Sequence, residues 1–158
     1  MGNPRTIAGA VYGTIVVLSV LTAGATAHMN DLWQLTAVTA MSVIVLWVAH
    51  VYSHGLGESI TVGRRLTAAE VASIARRESA IPLAAVPPVA AVALGATGVI
   101  GDNAALWLAF AIGVLTLAAQ GARYAKLERM SRAGTIITLA LNLALGLSIV
   151  ALKVALTH

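Results

Sequence analysis

Five long apolar segments limit what this chain can fold into. Each holds about twenty mostly apolar residues, the length that an α-helix needs to cross the hydrocarbon layer of a bilayer. The segments are approximately residues 7–27, 35–54, 80–100, 104–122 and 134–156. None alternates between apolar and polar residues as the strands of a membrane barrel do. The sequence therefore predicts an all-α membrane helix bundle with five spanning helices, forming one domain over residues 1–158.

The composition supports the same interpretation. Of the 158 residues, 59% are hydrophobic and only 10% are charged, whereas soluble domains contain about 45–50% apolar and about 25% charged residues. The net charge of +4 comes from basic residues in short clusters between apolar segments, a pattern that orients membrane proteins. We therefore expect no nucleic-acid partner. The chain has no cysteine, which excludes a disulfide framework and thiolate metal ligands.

The basic residues lie almost entirely on one side of the expected membrane. Nine of the ten occur before the first segment or in two connections on that same side: Arg5, Arg64, Arg65, Arg76, Arg77, Arg123, Lys126, Arg129 and Arg132. The opposite connections, 28–34 and 101–103, contain none, and Lys153 is the tenth. Because basic loops stay in the cytoplasm, we expect a multi-pass inner (plasma) membrane protein with a cytoplasmic N-terminus. Its basic loops should contact anionic lipid headgroups.

Short polar signals predict where some helices begin. Thr67 and Glu70 have the spacing of a capping box, which starts helices, so a short amphipathic helix is expected at about 67–79 on the cytoplasmic surface. Asp31 and Asp102 stand at helix junctions. Each is expected to cap the helix that follows it.

Two histidines near the end of the second segment could carry chemistry. Trp47, His50 and His54 follow one another at i, i+3 and i+7 and so share one helix face. The sequence leaves three roles open for His50: a neutral hydrogen-bonding group with His54 merely interfacial, a proton- or ion-coupled group, or a metal ligand together with His54. Two imidazoles four residues apart on a helix can both reach one ion.

Two glutamates are candidates to join the histidines. Glu58 lies four residues beyond His54, but Gly55 and Gly57 intervene, and both favour ending the helix. We therefore expect Glu58 to lie off the histidine face. Glu78 is expected to pair with a neighbouring arginine or to cap the third spanning helix. The alternative is that it meets His50 and acts with Trp47 and His50 in a packing or proton-responsive group.

The first segment combines small and hydroxyl residues. Gly9 and Gly13 form a GxxxG motif, which lets helices approach closely, either within the chain or in a homo-oligomer. Thr14, Ser19 and Thr22 give the helix a mildly polar stripe. These hydroxyls could line a pore, or they could bond to carbonyls of their own helix.

Three stretches resemble a known family. They are AVYGTIVVLSVL at 10–21, VIVLWVAH at 43–50 with its Trp-x-x-His, and ALWLAFAIGVLTLAAQGARYA at 105–125. They are similar to the first, second and fourth helices of the bacterial and lysosomal transmembrane potassium channels that carry an Arg-x-x-x-Phe-Ser-Asp signature. The resemblance implies a pore lined by the first helix. It places the apolar constriction near Thr14, Ile15 and Leu18.

The chain also departs from that family. Ile7, Ala8 and Gly9 stand where the family has Phe-Ser-Asp. Of the network that holds the family's pore helix against its second helix, only Trp47 and His50 remain. The family has six spanning helices in each repeat, and this chain offers five. As a whole the chain also resembles uncharacterised small integral membrane proteins of high-GC bacteria.

These observations lead to one functional hypothesis and two alternatives. The first is a homo-oligomeric cation channel without a cofactor, for which the resemblance implies potassium, with Thr14, Ile15, Leu18, Ser19 and Thr22 along the path. One alternative is a membrane metal-binding protein or enzyme that holds a divalent metal at the two histidines. The other is a scaffold without transport. The sequence contains no Walker loop, nucleophile elbow or HExxH motif. This absence favours a protein that is not an enzyme.

Overall fold

A computed structural model describes residues 4–26 and 31–156, and all of the regular elements in that part of the chain are α-helices. They are α1 (Pro4–Thr26), α2 (Leu32–Val62), α3 (Ala68–Arg77), α4 (Ala80–Ala96), α5 (Asp102–Leu127) and α6 (Arg132–Leu156). The predicted all-α class is confirmed. The expected short amphipathic helix corresponds to α3, and the five expected spanning segments correspond to the other helices.

Several helices are long and apolar enough to cross a membrane, which indicates a membrane protein. Four qualify alone: α1, α2, α5 and α6. The fifth, α4, has only 17 residues and qualifies only together with α3, from which it is bent by 48°. The described residues therefore provide four spans, or five if the bent pair counts as one. Insertion and orientation remain predictions.

Successive long helices run antiparallel around a central α1. This helix contacts α2, α4, α5 and α6, and its Val17, Leu18 and Leu21 are fully buried. Ile136 and Leu141 of α6 are, by contrast, well exposed. Apolar side chains that face outward suit a lipid environment, since lipid tails are as apolar as these residues. We call the end where α1, α4 and α6 begin the basic end.

The GxxxG motif of α1 brings this helix against α4 within the chain. A Cβ atom at Gly13 would collide with the backbone carbonyl of Ile81, and one at Gly9 would lie 3.2 Å from the Cβ of Ala80. Small residues allow such close approach of helix backbones. Of the two uses left open by the sequence, the described structure shows the intramolecular one.

Two of the three predicted caps are confirmed. The Thr67 side chain accepts a hydrogen bond from the backbone N–H of Glu70, which completes the capping box. The Asp31 carboxylate accepts one from the backbone N–H of Trp33 at 2.8 Å. The prediction for Asp102 was wrong, because Gly101 is the N-cap and Asp102 is the first residue of α5. Its charge still suits the positive end of the helix dipole.

The expectation that α2 ends at its glycines is also wrong. The helix continues through Gly55 and Gly57 to Val62 and ends at Gly63, whose φ of 68° is the left-handed conformation of a C-terminal cap. A glycine inside a helix costs only about 1 kcal/mol relative to alanine. Here α2 also packs against α3, which stabilises the extra turns. Glu58 therefore stays on the helix that carries the histidines.

Candidate functional site

A histidine–glutamate cluster joins α2 to the bend between α3 and α4. His54 Nδ1 lies 3.0 Å from Glu78 Oε1, and His50 Nε2 lies 4.0 Å from Glu78 Oε2. The two imidazole rings are 4.9 Å apart at their centroids. One carboxylate therefore faces two imidazoles that the i, i+4 spacing places on one face of α2.

The local fold positions Glu78 for this contact. Glu78 is the C-cap of α3, and its backbone N–H donates to the carbonyl of Ile74. The Ile74 side chain is buried and anchors the short helix. The Glu78 side chain is only 14% exposed, whereas those of His50 and His54 are 36% and 54% exposed. The carboxylate is thus largely shielded from solvent, while the two imidazoles remain accessible to an incoming ion.

The connection between α2 and α3 is fixed by a second group of contacts. Arg64 donates two hydrogen bonds to the Glu70 carboxylate, at 2.7 and 3.0 Å. Glu70 also accepts from the backbone and hydroxyl of Thr67. These contacts lower the pKa of Glu70 to about 2, and the hydrogen bonds from Arg64 are the largest cause. The same hydrogen bonds raise the pKa of Arg64. The loop that delivers α3 to the site is therefore anchored at its start.

The cluster opens into a cavity of about 680 Å³ at the basic end. Its walls come from α1, α2, α3 and α4, and the lining residues are Ala8, Gly9, Tyr12, His50, His54, Glu58, Ile74, Arg77, Glu78 and Ile81. The Tyr12 ring lies 5.4 Å from the His50 ring. Apolar residues of α1 and α4 thus form one wall, and the ionisable residues form another.

The donor set fits a metal ion. One ligand atom from each of His50, His54 and Glu78 lies within 4.8 Å of the others. Metal–nitrogen and metal–oxygen bonds of about 2.1 Å in a tetrahedron separate ligand atoms by about 3.4 Å. Closing the remaining gap needs side-chain movements of about 1 Å, within the reach of small χ adjustments.

A second ion pair lies in the same cavity. Arg77 Nη2 is 3.3 Å from Glu58 Oε2, and these side chains are 42% and 43% exposed. The pair exists because α2 continues past its glycines and so places Glu58 opposite α3. An ion pair with this exposure contributes little stability. Its partners can therefore exchange for others at small cost.

The predicted role of Glu78 needs correction. The favoured expectation was a pair with a neighbouring arginine or a cap on the third spanning helix. In the described structure Glu78 pairs with the histidines, Arg77 pairs with Glu58, and the N-cap of α4 is Ser79. The alternative, contact with His50, is the arrangement found. Trp47 lies one turn away on α2, and its indole N–H is buried without a hydrogen-bond partner in the described part of the chain.

The candidate pore residues of α1 lie mostly inside the chain. Thr14, Leu18 and Thr22 are buried, Ile15 is half-buried and Ser19 is exposed. The hydroxyls of Thr14 and Ser19 donate to carbonyls one turn earlier in the same helix. These bonds match the commoner of the two uses considered for the stripe. Within one described chain the five residues therefore differ in burial, from fully buried Thr14 and Leu18 to exposed Ser19.

Among the residues that line the cavity, sequence reasoning missed the aromatic Tyr12 and the charged Arg77. Tyr12 precedes Gly13, where α1 lies close against α4, and its ring packs beside His50 of α2. Arg77 reaches the cavity because the bend after α3 faces the last turns of α2. Neither position can be predicted from one sequence, since both depend on helix packing rather than on residue spacing.

The class defined by this fold and site is a bundle of membrane-length helices with a two-histidine, one-carboxylate cluster at its basic end. Comparison with protein-family models, with curated proteins and with solved structures finds no match.

Proposed function

We propose that this protein is a membrane protein that binds a divalent transition-metal ion at His50, His54 and Glu78. The observation that carries the proposal is the convergence of three ligand atoms within 4.8 Å, two from α2 and one from the bend between α3 and α4. A second support is the open cavity in front of them. In the expected orientation the ion binds from the cytoplasm, at the membrane surface.

The donor types favour particular metals. Two imidazoles and one carboxylate suit Zn²⁺ and its neighbours Co²⁺, Ni²⁺ and Cu²⁺. Mg²⁺ and Ca²⁺ prefer oxygen donors throughout, and Cu⁺ prefers sulfur. We therefore expect Zn²⁺ to bind and Mg²⁺ not to compete with it at similar concentrations.

The position of the ligands gives the ion a structural consequence. Two ligands belong to α2, and the third lies at the break between α3 and α4. A bound ion would tie these elements together in place of the single His54–Glu78 hydrogen bond. Binding to the folded state alone stabilises that state by mass action, so the metal should raise the temperature of unfolding.

Equilibrium dialysis of tag-free protein in detergent tests the proposal. We expect about one Zn²⁺ per chain, with affinity reduced about 100-fold or more in His54→Ala and Glu78→Gln, because even the loss of outer-shell partners costs 10–100-fold. Glu128→Gln and Tyr52→Ala are matched controls, since both residues are exposed and lie outside the cavity. Equal zinc binding by all four variants would reject the site.

Cation conduction along α1 remains a separate proposal, supported by the family resemblance. It requires an assembly or a rearrangement that exposes Thr14, Leu18 and Thr22, which are buried in the described chain. Potassium flux into liposomes that contain the protein tests it. Flux no greater than into empty liposomes, at several pH values and under both gradients, would remove it from consideration.

A further inference from the structure

Three protein ligands leave a metal ion with an open coordination position. Structural zinc sites have four protein ligands, whereas catalytic zinc sites have three protein ligands and a fourth position for water or substrate. Among the described residues only His50, His54 and Glu78 meet the distance requirement. Glu58 lines the same cavity, but it is not among the groups whose ligand atoms lie within 4.8 Å of one another. The fourth position therefore faces the cavity.

A bound ion would also reverse the charge of the cavity. Its charged lining residues are Glu58, Glu78 and Arg77, which together carry a charge of −1 when the histidines are neutral. A divalent ion changes this to +1. The ion is often the largest local charge in a site and controls what binds there. The empty cavity should repel anions, and the loaded cavity should attract them.

Arg77 is placed to hold such an anion. Its guanidinium lines the cavity and is engaged by Glu58 at 3.3 Å in a pair that is open to solvent. Exposed pairs of this kind are weak. Arginine binds phosphate through two parallel hydrogen bonds. The oxygens of a phosphate point in four directions, so that one oxygen can bind the metal while others reach the guanidinium.

Resting on the proposed function, we propose that the metal-loaded cavity is a phosphate-binding site, in which the metal and Arg77 bind different oxygens of one phosphate group. The cavity volume of about 680 Å³ is within the usual range for small-molecule sites. One wall is formed by apolar residues that include Ala8 and Ile81. The phosphate can therefore belong to a free anion or to the headgroup of an amphiphile.

Cobalt spectroscopy of the full chain in detergent tests the inference. Co²⁺ replaces Zn²⁺, and its visible absorption reports a change of ligand. We expect inorganic phosphate to change the spectrum of the Co²⁺-loaded protein saturably. Arg77→Gln should weaken that response at least about tenfold, because a charge-assisted bidentate contact is lost. Co²⁺ content is measured in every sample, so that loss of metal is not mistaken for loss of phosphate binding.

Arg76→Gln is the matched control. Arg76 is exposed on the neighbouring position of α3 and does not line the cavity, so this variant should respond to phosphate like the unmodified protein. Arg77→Lys keeps the charge but removes the guanidinium fork, and it should give an intermediate affinity. An equal loss in Arg76→Gln and Arg77→Gln would overturn the inference.

A second pair of ligands identifies the source of the phosphate. Tighter binding of dihexanoyl phosphatidic acid than of inorganic phosphate supports a lipid headgroup, and equal binding supports a free anion. Dihexanoyl phosphatidylcholine, which lacks a phosphate monoester, should give a weaker response than either.

Failure of this inference is distinguishable from failure of the proposed function. A protein that binds no Co²⁺ contradicts the metal site itself. A protein that binds Co²⁺ at His50, His54 and Glu78, but whose spectrum does not change with phosphate, contradicts only the present inference. Release of Co²⁺ into solution by phosphate also overturns it.

Discussion

At the scale of single residues, the packing of the helices depends on glycines, which have no side chain, as much as on larger residues. Gly13 has no Cβ, and the carbonyl of Ile81 occupies the space where one would be. Gly57 lies on an exposed part of α2 with nothing within 4 Å of such an atom. The two glycines look alike in sequence but have opposite consequences. Only packing distinguishes a required glycine from a dispensable one.

Alanine substitutions at these glycines should therefore have opposite effects. Gly13→Ala forces α1 away from α4 and should lower the free energy of unfolding by about 1–3 kcal/mol, as overpacking does. Gly57→Ala removes a helix-destabilising glycine and should raise it by up to about 1 kcal/mol. Thermal unfolding of both variants in the same detergent measures the difference. A Gly13→Ala protein as stable as Gly57→Ala would contradict the described contact between α1 and α4.

At the scale of elements, the start of α3 could be predicted from the sequence and the end of α2 could not. The Thr67–Glu70 capping box is a local motif, because both partners lie within one turn. The path of α2 past Gly55 and Gly57 depends instead on α3, a separate element that packs against it. Contact with α3 outweighed the low helix propensity of the two glycines, and Glu58 therefore lies opposite Arg77.

The contacts that anchor the start of α3 should persist in mild acid and weaken only at lower pH. The Glu70 carboxylate is stabilised by Arg64 and Thr67, so its pKa falls from 4.5 to about 2. A lowered pKa means that the ionised form favours the folded helix. Its contribution is complete above about pH 4.5 and is lost as the pH falls toward about 2.

Hydrogen exchange measures this effect. After correction for intrinsic rates, the protection of the first amides of α3 should stay constant between pH 7 and pH 5 and should decrease below about pH 4 as Glu70 takes up protons. In Glu70→Gln the protection should be lower and should not change with pH. Loss of protection in the unmodified protein already at pH 6 would contradict the assignment to Glu70.

At the scale of the whole molecule, hydropathy was enough to predict the helices but not their partners. Each of the five apolar segments corresponds to a helix in the described structure, although the helix of the third segment, α4, ends at Ala96 and not at residue 100. The burial of Thr14 and Leu18 at the centre of the bundle was not predictable, because a helix apolar all round carries no sign of which face meets protein and which meets lipid. The sequence also left two alternatives for Glu78, because its contact with both histidines depends on how α2 packs beside the bend after α3.

The orientation of the molecule can be tested with single cysteines, because the chain has none of its own. Ser131→Cys, in the connection before α6, and Asn103→Cys, at the start of α5, lie at opposite ends of the bundle. In intact cells, an impermeant maleimide should label Asn103→Cys and leave Ser131→Cys unlabelled until the membrane is opened. The reverse pattern would place the metal cluster outside the cell and contradict the positive-inside prediction.

Zinc X-ray absorption on the tag-free protein loaded with one Zn²⁺ per chain tests the proposed metal site most directly. We expect two imidazole ligands, with oxygen atoms as the remaining ligands, at about 2.0–2.2 Å from the zinc. One imidazole should be lost in His50→Ala and an oxygen replaced in Glu78→Gln. A spectrum without imidazole, or one that is the same in His50→Ala, would contradict binding at His50, His54 and Glu78.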